Sequence, residues 1–338
     1  MSMDAASTDL ATTDPATTAG GRRASVLVGV DGSPGSRAAL GYALTAAARR
    51  DGVLKVVATF GLEGVRVGDH PIGVPPLGTV RAVLDARVRA LVDEVRADPA
   101  VRAVPGAEGV AAVVVVSGGP AAPRLVDDST DADLLVVGSR GRGAVRSVLL
   151  GSVALHCVTH AHCPVVVVHP AAAGHRQERT VVVGIDGSPA SRAALVAALD
   201  EAARLATDVA AVTTFELVDR WTALSAMPAP DADQIRSAVQ SGAEAMVDEA
   251  VAEHRARHDG RAPSVRAVVA EGRAVDVLIQ WTADAALLVV GSRGHGELRG
   301  LLVGSVALAC AMHGAGPVMV VHPQPARTAV PASATAAV

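Results

Sequence analysis

The sequence predicts an α/β fold that is built twice, each time around an open sheet with right-handed crossovers. Three observations carry this prediction. Short β-branched apolar runs alternate with segments of helical periodicity, the runs are apolar throughout, and the whole order recurs about 150 residues further along the chain. Unbroken apolar runs indicate strands that are covered on both faces, as in parallel sheets.

The first copy contains five predicted strands with helices between them. The helix after the first strand has an N-cap at Ser33 and a first-turn proline at Pro34, and it places Leu40, Leu44 and Ala47 on one face. A second amphipathic helix is predicted in TVRAVLDARVRALVDEV. The predicted strands are, in order, SVLVGV, VLKVVATF, AAVVVV, DLLVVG and PVVVVHP.

The second copy repeats these segments in the same order. VLVGVDGSPGSRAAL at 26–40 recurs as VVVGIDGSPASRAAL at 181–195, and CPVVVVHP at 163–170 recurs as GPVMVVHP at 316–323. A period of this length is a whole domain, so the 338 residues form a tandem duplication. The predicted organisation is a disordered tail at 1–23, a domain at 24–170, a linker at 171–178, a domain at 179–323 and a disordered tail at 324–338.

Composition excludes several classes of function. Two Phe, two Trp and one Tyr leave little for base stacking, and a net charge of -4 argues against a phosphate-backbone footprint, so we expect no nucleic-acid partner. No apolar run is long enough to span a bilayer, and the N-terminal segment lacks the apolar core of a signal peptide. We therefore expect no membrane partner, a cytoplasmic location and reduced thiols at the three cysteines.

A glycine-rich loop after the fourth predicted strand carries the strongest functional signal. LLVVGSRGRGAVRSVLLGSVAL at 134–155 recurs as LLVVGSRGHGELRGLLVGSVAL at 287–308. The loop has no side chains at Gly138, Gly141 and Gly143, and glycine can adopt positive φ. Successive backbone N–H groups of the loop can therefore converge on an anion. Ser152 starts a helix, whose N-terminus also favours an anion. Arg140, with Arg142 or Arg146, would add positive charge, so the pattern predicts a phosphate site in each copy.

Two familiar phosphate motifs do not fit these loops. A Walker loop needs Gly-Lys-Ser/Thr, but the only lysine is Lys55, on a predicted strand. The dinucleotide fingerprint needs three glycines after the first strand, where this chain has GVDGSPGS. The glycines could instead serve only tight turns, but the same long spacing in both copies favours ligand binding.

With these motifs, each half resembles a universal stress protein domain, and the chain resembles the tandem form of that family. The resemblance covers nearly all of 24–323 and includes the first-strand signature VGVDGS and the final HAHCPVVVV. The family's nucleotide-binding pattern, G-x2-G-x9-G-S/T, is met by Gly138, Gly141, Gly151 and Ser152, and again by Gly291, Gly294, Gly304 and Ser305. The resemblance implies two Rossmann-like domains of the adenine nucleotide alpha hydrolase-like type. Each would have a five-stranded parallel sheet in the order 3-2-1-4-5 and ATP between strands 1 and 4.

The resemblance also implies roles for individual residues. Asp31 and Asp186 match the family's aspartate at the adenosine end, although an aspartate after a strand often only caps the next turn. Ala58 and Thr213 match the adenine wall. The candidate nucleotide contacts of the first half are Gly29, Asp31, Ser33, Ala58, Gly138, Ser139, Arg140, Gly141, Arg142, Gly143, Gly151, Ser152 and Val153. Those of the second half are Gly184, Asp186, Ser188, Thr213, Gly291, Ser292, Arg293, Gly294, His295, Gly296, Gly304, Ser305 and Val306.

The expected function is that of an ATP-binding regulatory stress protein with two ATP per chain, and Mg²⁺ is compatible with the bound phosphates. The alternatives are a slow ATP-hydrolysing enzyme and a scaffold with vestigial sites. Binding is favoured over turnover because the first glycine loop has no carboxylate and Glu297 of the second has no counterpart. Arg37 and Arg192 also recur, but a solvated helix face explains them.

The expected partners are the adenine nucleotide, an unidentified regulatory protein and the other half of the chain. The final strands, 165–168 and 318–321, would lie at sheet edges and carry no charges that protect an edge. We therefore expect them to pair antiparallel across a pseudo-two-fold axis, and a further homodimer is compatible with this arrangement.

The segment HCVTHAHC, from His156 to Cys163, invites a zinc interpretation. In the second copy it becomes ACAMHGAG, so that Ala315 and Gly316 replace His162 and Cys163. The segment also straddles a helix end and a strand start, which directs its side chains apart. We therefore expect no metal site there, with the histidines at a helix end and the cysteines packed as small apolar groups.

Overall fold

The computed structural model describes residues 22–61, 66–67, 70–71, 76–141, 150–170, 180–216, 231–295 and 302–323. Within these ranges one large sheet has ten strands, five from each half of the chain. The strands of the first half are β1 (Ser25–Gly29), β2 (Val53–Phe60), β3 (Ala112–Gly118), β4 (Leu134–Gly138) and β5 (Val165–Val168). Those of the second half are β6 (Val181–Gly184), β7 (Val209–Phe215), β8 (Val265–Glu271), β9 (Leu287–Gly291) and β10 (Val318–Val321).

Helices connect these strands. The first half contains α1 (Pro34–Ala48), α2 (Leu77–Arg96), the short α3 (Pro99–Arg102), α4 (Ala121–Asp128) and α5 (Ser152–His160). The second half contains α6 (Pro189–Leu205), α7 (Ala232–Arg257), α8 (Ala274–Trp281) and α9 (Ser305–His313). A separate antiparallel pair, Arg66–Val67 with His70–Pro71, was not expected from the sequence.

The strand order in both halves is the predicted one. It is β3-β2-β1-β4-β5 in the first half and β8-β7-β6-β9-β10 in the second, with all pairs inside a half parallel. The two final strands pair with each other, and this pair alone within the sheet is antiparallel, with Val165 opposite Val320 and Val167 opposite Val318. Strands β1 to β10 therefore form one continuous sheet with β3 and β8 at its outer edges.

The apolar runs are buried on both faces of this sheet. Side chains of β1 alternate between two layers: Val26 and Val28 pack toward α1 and α2, and Leu27 packs on the opposite face. The first layer also contains residues of α6 and α7, and the second is formed with α4, α5, α8 and α9. Each layer contains residues of both halves, so burial of Val, Leu, Ile and Ala stabilises the two repeats jointly.

The ends of α1 and α5 determine where a ligand can lie. Ser33 caps α1, since its hydroxyl accepts the N–H of Ser36 at 3.2 Å, and Pro34 occupies the first turn. From the carboxyl ends of the adjacent strands β1 and β4, the chain leaves toward opposite faces of the sheet, to α1 and to α5. Such a switch point leaves a crevice between the two strand ends, and β6 and β9 form its equivalent.

Among the residues that the structure describes, no helix combines the length and the apolar character that a membrane crossing requires.

Candidate functional site

Each half has a cavity at its switch point. The first has a volume of about 720 Å³ and the second about 860 Å³, both within the range of roughly 300–1,000 Å³ that is usual for small-molecule sites. The predicted contacts that line the first cavity are Gly29, Asp31, Ala58, Gly138, Arg140, Gly141, Gly151, Ser152 and Val153. Those that line the second are Gly184, Asp186, Thr213, Gly291, Arg293, Gly294, His295, Gly304, Ser305 and Val306.

Four predicted contacts lie behind the cavities instead of on their surfaces. The hydroxyl of Ser33 donates to the carbonyl of Arg140 at 3.4 Å, and Ser188 does the same to Arg293, so both serines join a helix start to a glycine loop. Ser139 and Ser292 are buried, and their N–H groups donate to the final strands. These serines hold the loop in place. Three further candidates, Arg142, Gly143 and Gly296, lie outside the described residues, as does Arg146.

Close approach, and not positive φ, explains the first glycines of the loop. A Cβ on Gly138 would lie 2.6 Å from the backbone of Gly35 in the first turn of α1, and one on Gly141 would lie 2.6 Å from Oδ2 of Asp31. Neither glycine has a positive φ, so the expectation based on φ was wrong for them. Positive φ occurs instead in the turn after each first strand, at Gly32 (80°) and Gly187 (86°).

The last glycine of the motif has a different surrounding. A Cβ on Gly151 would lie 3.6 Å from its nearest neighbour, the carbonyl oxygen of Ser139, and the equivalent distance at Gly304 is 3.5 Å. Both are ordinary contact distances, so packing against the residues that the structure describes does not require glycine there. Because both positions line the cavities, a side chain would extend the cavity wall where a ligand would lie.

The helix that follows each of these glycines has an N-terminus suited to an anion. Gly151 and Gly304 are the N-caps of α5 and α9, and as glycines they have no side chain that could accept a hydrogen bond from the helix start. The first N–H groups of a helix need acceptors from outside the helix, and the helix dipole adds positive potential at the same point. Ser152 and Ser305 are exposed beside these N–H groups. Each site can therefore receive a phosphate at this end.

The two aspartates have the capping role that was considered as an alternative. Oδ1 of Asp31 accepts the N–H of Ser33 at 2.9 Å, and Oδ1 of Asp186 accepts that of Ser188 at 2.9 Å. Burial raises the pKa of Asp186, but hydrogen bonds from Ser188, Ser191 and His295 outweigh burial and hold the pKa below its ordinary value. Both carboxylates also line their cavities, so capping and ligand contact are compatible.

The outer wall of each cavity comes from a helix that the motif search missed. In the first half α2 contributes Leu84, Arg87, Val88 and Leu91, and in the second half α7 contributes Val239, Gly242, Ala243 and Met246 at corresponding positions. Gly242 and Ala243 replace the larger Arg87 and Val88, which accounts for the larger second cavity. The apolar stripe of α2 was visible in the sequence, but helical periodicity does not show what the stripe faces.

The recurring arginines lie on exposed helix surface, as expected. Arg37 forms an ion pair with Glu94 at 2.7 Å, and Arg192 forms the equivalent pair with Glu249. The second pair also lies at the rim of its cavity.

In the segment from His156 to Cys163 the thiols are buried, whereas two of the imidazoles are exposed. Cys157 and Cys163 are buried in the apolar layer, and burial raises the pKa of each thiol to about 12. His160 and His162 are exposed, and Nδ1 of His160 lies 3.1 Å from the carbonyl oxygen of His156. The cysteines therefore pack as small apolar groups.

Fold and sites together define an α/β protein with two equivalent crevices that can accept a phosphorylated ligand. The sequence profile of the universal stress protein family matches residues 23–169 and 178–322. The chain therefore belongs to the universal stress protein family.

Similar proteins support this assignment along most of the chain. The chain is 35% identical over 297 residues to universal stress protein Rv2623 of Mycobacterium tuberculosis, covering 87% of this chain and 95% of the relative. It is 36% identical over 288 residues to universal stress protein Mb2028c of Mycobacterium bovis, covering 83% and 91%. The crystal structure of a universal stress protein from Archaeoglobus fulgidus aligns with a TM-score of 0.56 at 18% identity, covering 89% of this chain and 97% of that one. The structural likeness shows the shared Rossmann-like fold.

Proposed function

We propose that the chain binds two ATP molecules, one in each half, and acts as a regulatory stress protein through a nucleotide-dependent conformation or partner. One observation carries the proposal. In each cavity a helix N-terminus that has glycine as its N-cap follows the glycine loop, and packing against the described residues does not require this glycine. A phosphate chain explains both features, because it would accept the first N–H groups of the helix and occupy the space beside the glycine.

The remainder of each cavity suits an adenosine moiety. Ala58 and Thr213, at the ends of β2 and β7, line the cavities together with the apolar side chains of α2 and α7. Asp31 and Asp186 follow the ends of β1 and β6 and line the same cavities. A carboxylate at such a position can accept hydrogen bonds from ribose hydroxyls, and an apolar wall can pack against adenine.

The charged side chains that line the two cavities favour ATP binding over ATP hydrolysis. Among the described lining residues, Asp31 is the carboxylate of the first cavity, and it already accepts the N–H of Ser33. The second cavity adds Glu249, which is paired with Arg192. Phosphoryl transfer needs a carboxylate that holds the metal and a group that positions water. We therefore propose that the sites bind ATP and hydrolyse it slowly or not at all. We also propose that Mg²⁺ accompanies the bound phosphates.

We also propose that the two halves act as one pseudo-symmetric unit, through which nucleotide state influences a regulatory protein partner or a homodimer. The pairing of β5 with β10 supports this, since it makes the two sites part of one sheet. A buried ion pair between Arg50 of the first half and Glu201 of the second adds a further link.

The test begins with the natural ligand. Mass spectrometry of the nucleotide released by heat from freshly purified protein should identify ATP, as distinct from ADP or cyclic AMP. Calorimetric titration of nucleotide-free protein with ATP and Mg²⁺ should then give two sites per chain.

Single variants assign the sites. Gly151→Ala should leave one ATP site, Gly304→Ala should leave the other, and the double variant should leave none. Two unchanged sites in the double variant, or no ATP binding by the parent protein, would reject the proposal and favour a scaffold with vestigial sites.

A further inference from the structure

The second half contains a cluster of titratable side chains. Asp200 lies on α6, His254 lies in the last turn of α7, and His258 is the C-cap residue that follows this helix. The first half has Pro99 and Ala103 at the positions that match the two histidines, so the cluster is not repeated there. Neither histidine lines the second nucleotide cavity.

The cluster has the geometry of a metal site. Nε2 of His254 lies 3.3 Å from Oδ1 of Asp200, and Nε2 of His258 lies 3.4 Å from the same oxygen. The three ligand atoms all lie within 4.8 Å of one another. Ligands about 2.0–2.1 Å from a tetrahedral Zn²⁺ are roughly 3.4 Å apart, so both imidazole nitrogens already lie at the required distance from Oδ1 of Asp200.

Contacts around His254 orient its ring toward Asp200. Nδ1 of His254 lies 3.2 Å from the carbonyl oxygen of Arg261, which fixes the proton on Nδ1 and directs the lone pair of Nε2 toward the cluster. A histidine that donates its other N–H to a backbone carbonyl is a common arrangement in metal sites.

Two buried atoms of the cluster lack a hydrogen bond. The side chain of His254 is only 2% exposed. Within the part of the chain that the structure describes, neither Nε2 of His254 nor Oδ1 of Asp200 makes a hydrogen bond, although the two atoms face each other at 3.3 Å. Buried polar groups without partners are rare and need an explanation such as an ion. A cation between these atoms would satisfy both.

The surroundings provide access and one competing charge. A cavity of about 640 Å³ is lined by both histidines and by Asp259 and Arg261, so water can complete the coordination. Arg257 lies 3.9 Å from Oδ1 of Asp200, but it is partly exposed and equally close to Glu253. Its side chain can therefore turn to Glu253 when a cation binds.

We propose that Asp200, His254 and His258 bind one divalent first-row transition-metal cation, best represented by Zn²⁺, with water in the open position. Two imidazoles and one carboxylate are suitable ligands for this class of ion, and the rings of the two histidines lie side by side at the end of α7. The cation would link α6 to α7, and α7 forms the outer wall of the second nucleotide cavity. It would stiffen that wall in the second half alone.

The chain contains a matched control for this site. His156 and His160 on α5 have the same spacing, and their rings stack with centroids 4.3 Å apart, close to the 4.2 Å of His254 and His258. Among the described residues, however, no third ligand completes a cluster around them. His160→Ala therefore removes an exposed histidine of an i, i+4 pair without touching the proposed site.

The experiment titrates the full-length, chelator-treated chain, without an affinity tag, with Zn²⁺ alone. The parent protein and His160→Ala should each bind one Zn²⁺ with equal affinity and show an equal rise in melting temperature. His258→Ala should bind at least tenfold more weakly, and Asp200→Asn likewise. His258 is exposed, so its replacement should preserve the fold, which circular dichroism can check. Co²⁺ should give a tetrahedral d–d spectrum in the parent protein and not in His258→Ala.

Two results would overturn the proposal. One is the absence of a saturable Zn²⁺ site in the parent protein. The other is equal Zn²⁺ affinity in the parent protein and in a folded His258→Ala variant, which would mean that other surface groups bind the ion. ATP binding is not part of either measurement, so the outcome is independent of the proposed nucleotide function.

Discussion

Oδ2 of Asp186 accepts the backbone N–H of His295 at 3.2 Å. This bond joins the turn after β6 to the glycine loop after β9, although 109 residues separate the two positions. In the first half the equivalent approach places Oδ2 of Asp31 at 2.6 Å from where a Cβ of Gly141 would lie. Each cavity is therefore shaped by a contact between its two strand ends.

The contact of Asp186 makes stability depend on pH. Hydrogen bonds hold the pKa of Asp186 in the folded chain below its ordinary value of 3.8. The ionised carboxylate therefore stabilises the fold above that value, and the contribution is lost as pH falls through the lower, folded pKa. Asp186→Asn should be less stable than the parent protein at neutral pH, and the difference should shrink below about pH 4. Urea unfolding across this range measures it, and a difference that does not vary with pH would contradict the prediction.

Replacing two glycines of the nucleotide motif with alanine should change the stability of the nucleotide-free protein to different extents. Gly138→Ala places a Cβ 2.6 Å from the backbone of Gly35, so the nucleotide-free protein should lose about 1–3 kcal/mol of unfolding free energy. Gly151→Ala meets its nearest neighbour at 3.6 Å, so it should change stability by no more than about 0.5 kcal/mol. Urea unfolding of both variants makes the comparison. Equal losses would show that packing within the protein, and not a ligand, requires Gly151.

A charge in the central strand pair should separate the halves. Val167 is fully buried and lies opposite Val318, so Val167→Lys should cost roughly 3 kcal/mol or more and promote aggregation. Val113→Lys is the control, because Val113 is 57% exposed on the outer strand β3. Light scattering and urea unfolding should distinguish the two variants. Similar behaviour would mean that the pairing of β5 with β10 contributes little in solution.

The ion pair between the halves should also be sensitive to the loss of one charge. The side chains of Arg50 and Glu201 are only 7% and 8% exposed, so Glu201→Gln leaves a buried guanidinium poorly compensated and should cost roughly 3–5 kcal/mol. Glu94→Gln, which removes the exposed partner of Arg37, should have little effect. The loss in Glu201→Gln should persist in high salt, since buried pairs are weakly screened. A loss that disappears in high salt would place this pair at the surface.

The sequence predicts the strands, the N-cap at Ser33 and the glycine loops because each depends on residues close together in the chain. Family resemblance added the strand order, which both halves follow. The cavity walls from Arg87 and Gly242 were missed because a helical stripe does not identify its neighbours.

Proximity in sequence was a poor guide to side-chain clusters. His156 to Cys163 is dense in potential ligands, yet its thiols are buried and His160 and His162 are exposed. Asp200 and His254 are far apart in the chain, and only the packing of α6 against α7 brings them to 3.3 Å. Tertiary contacts of this kind leave no local signal in a single sequence.

The antiparallel pairing of β5 with β10 has a consequence for synthesis of the chain. The ribosome completes β5 long before β10, because nearly the whole second half lies between them. At 5–20 residues per second, about 150 residues take on the order of ten seconds. During that time the first half can fold while the apolar edge of β5 has no partner from its own chain. Nascent chains on neighbouring ribosomes of one messenger RNA would expose the same β5 edge to each other. Chaperones that bind apolar strands could act during the time between the synthesis of β5 and that of β10.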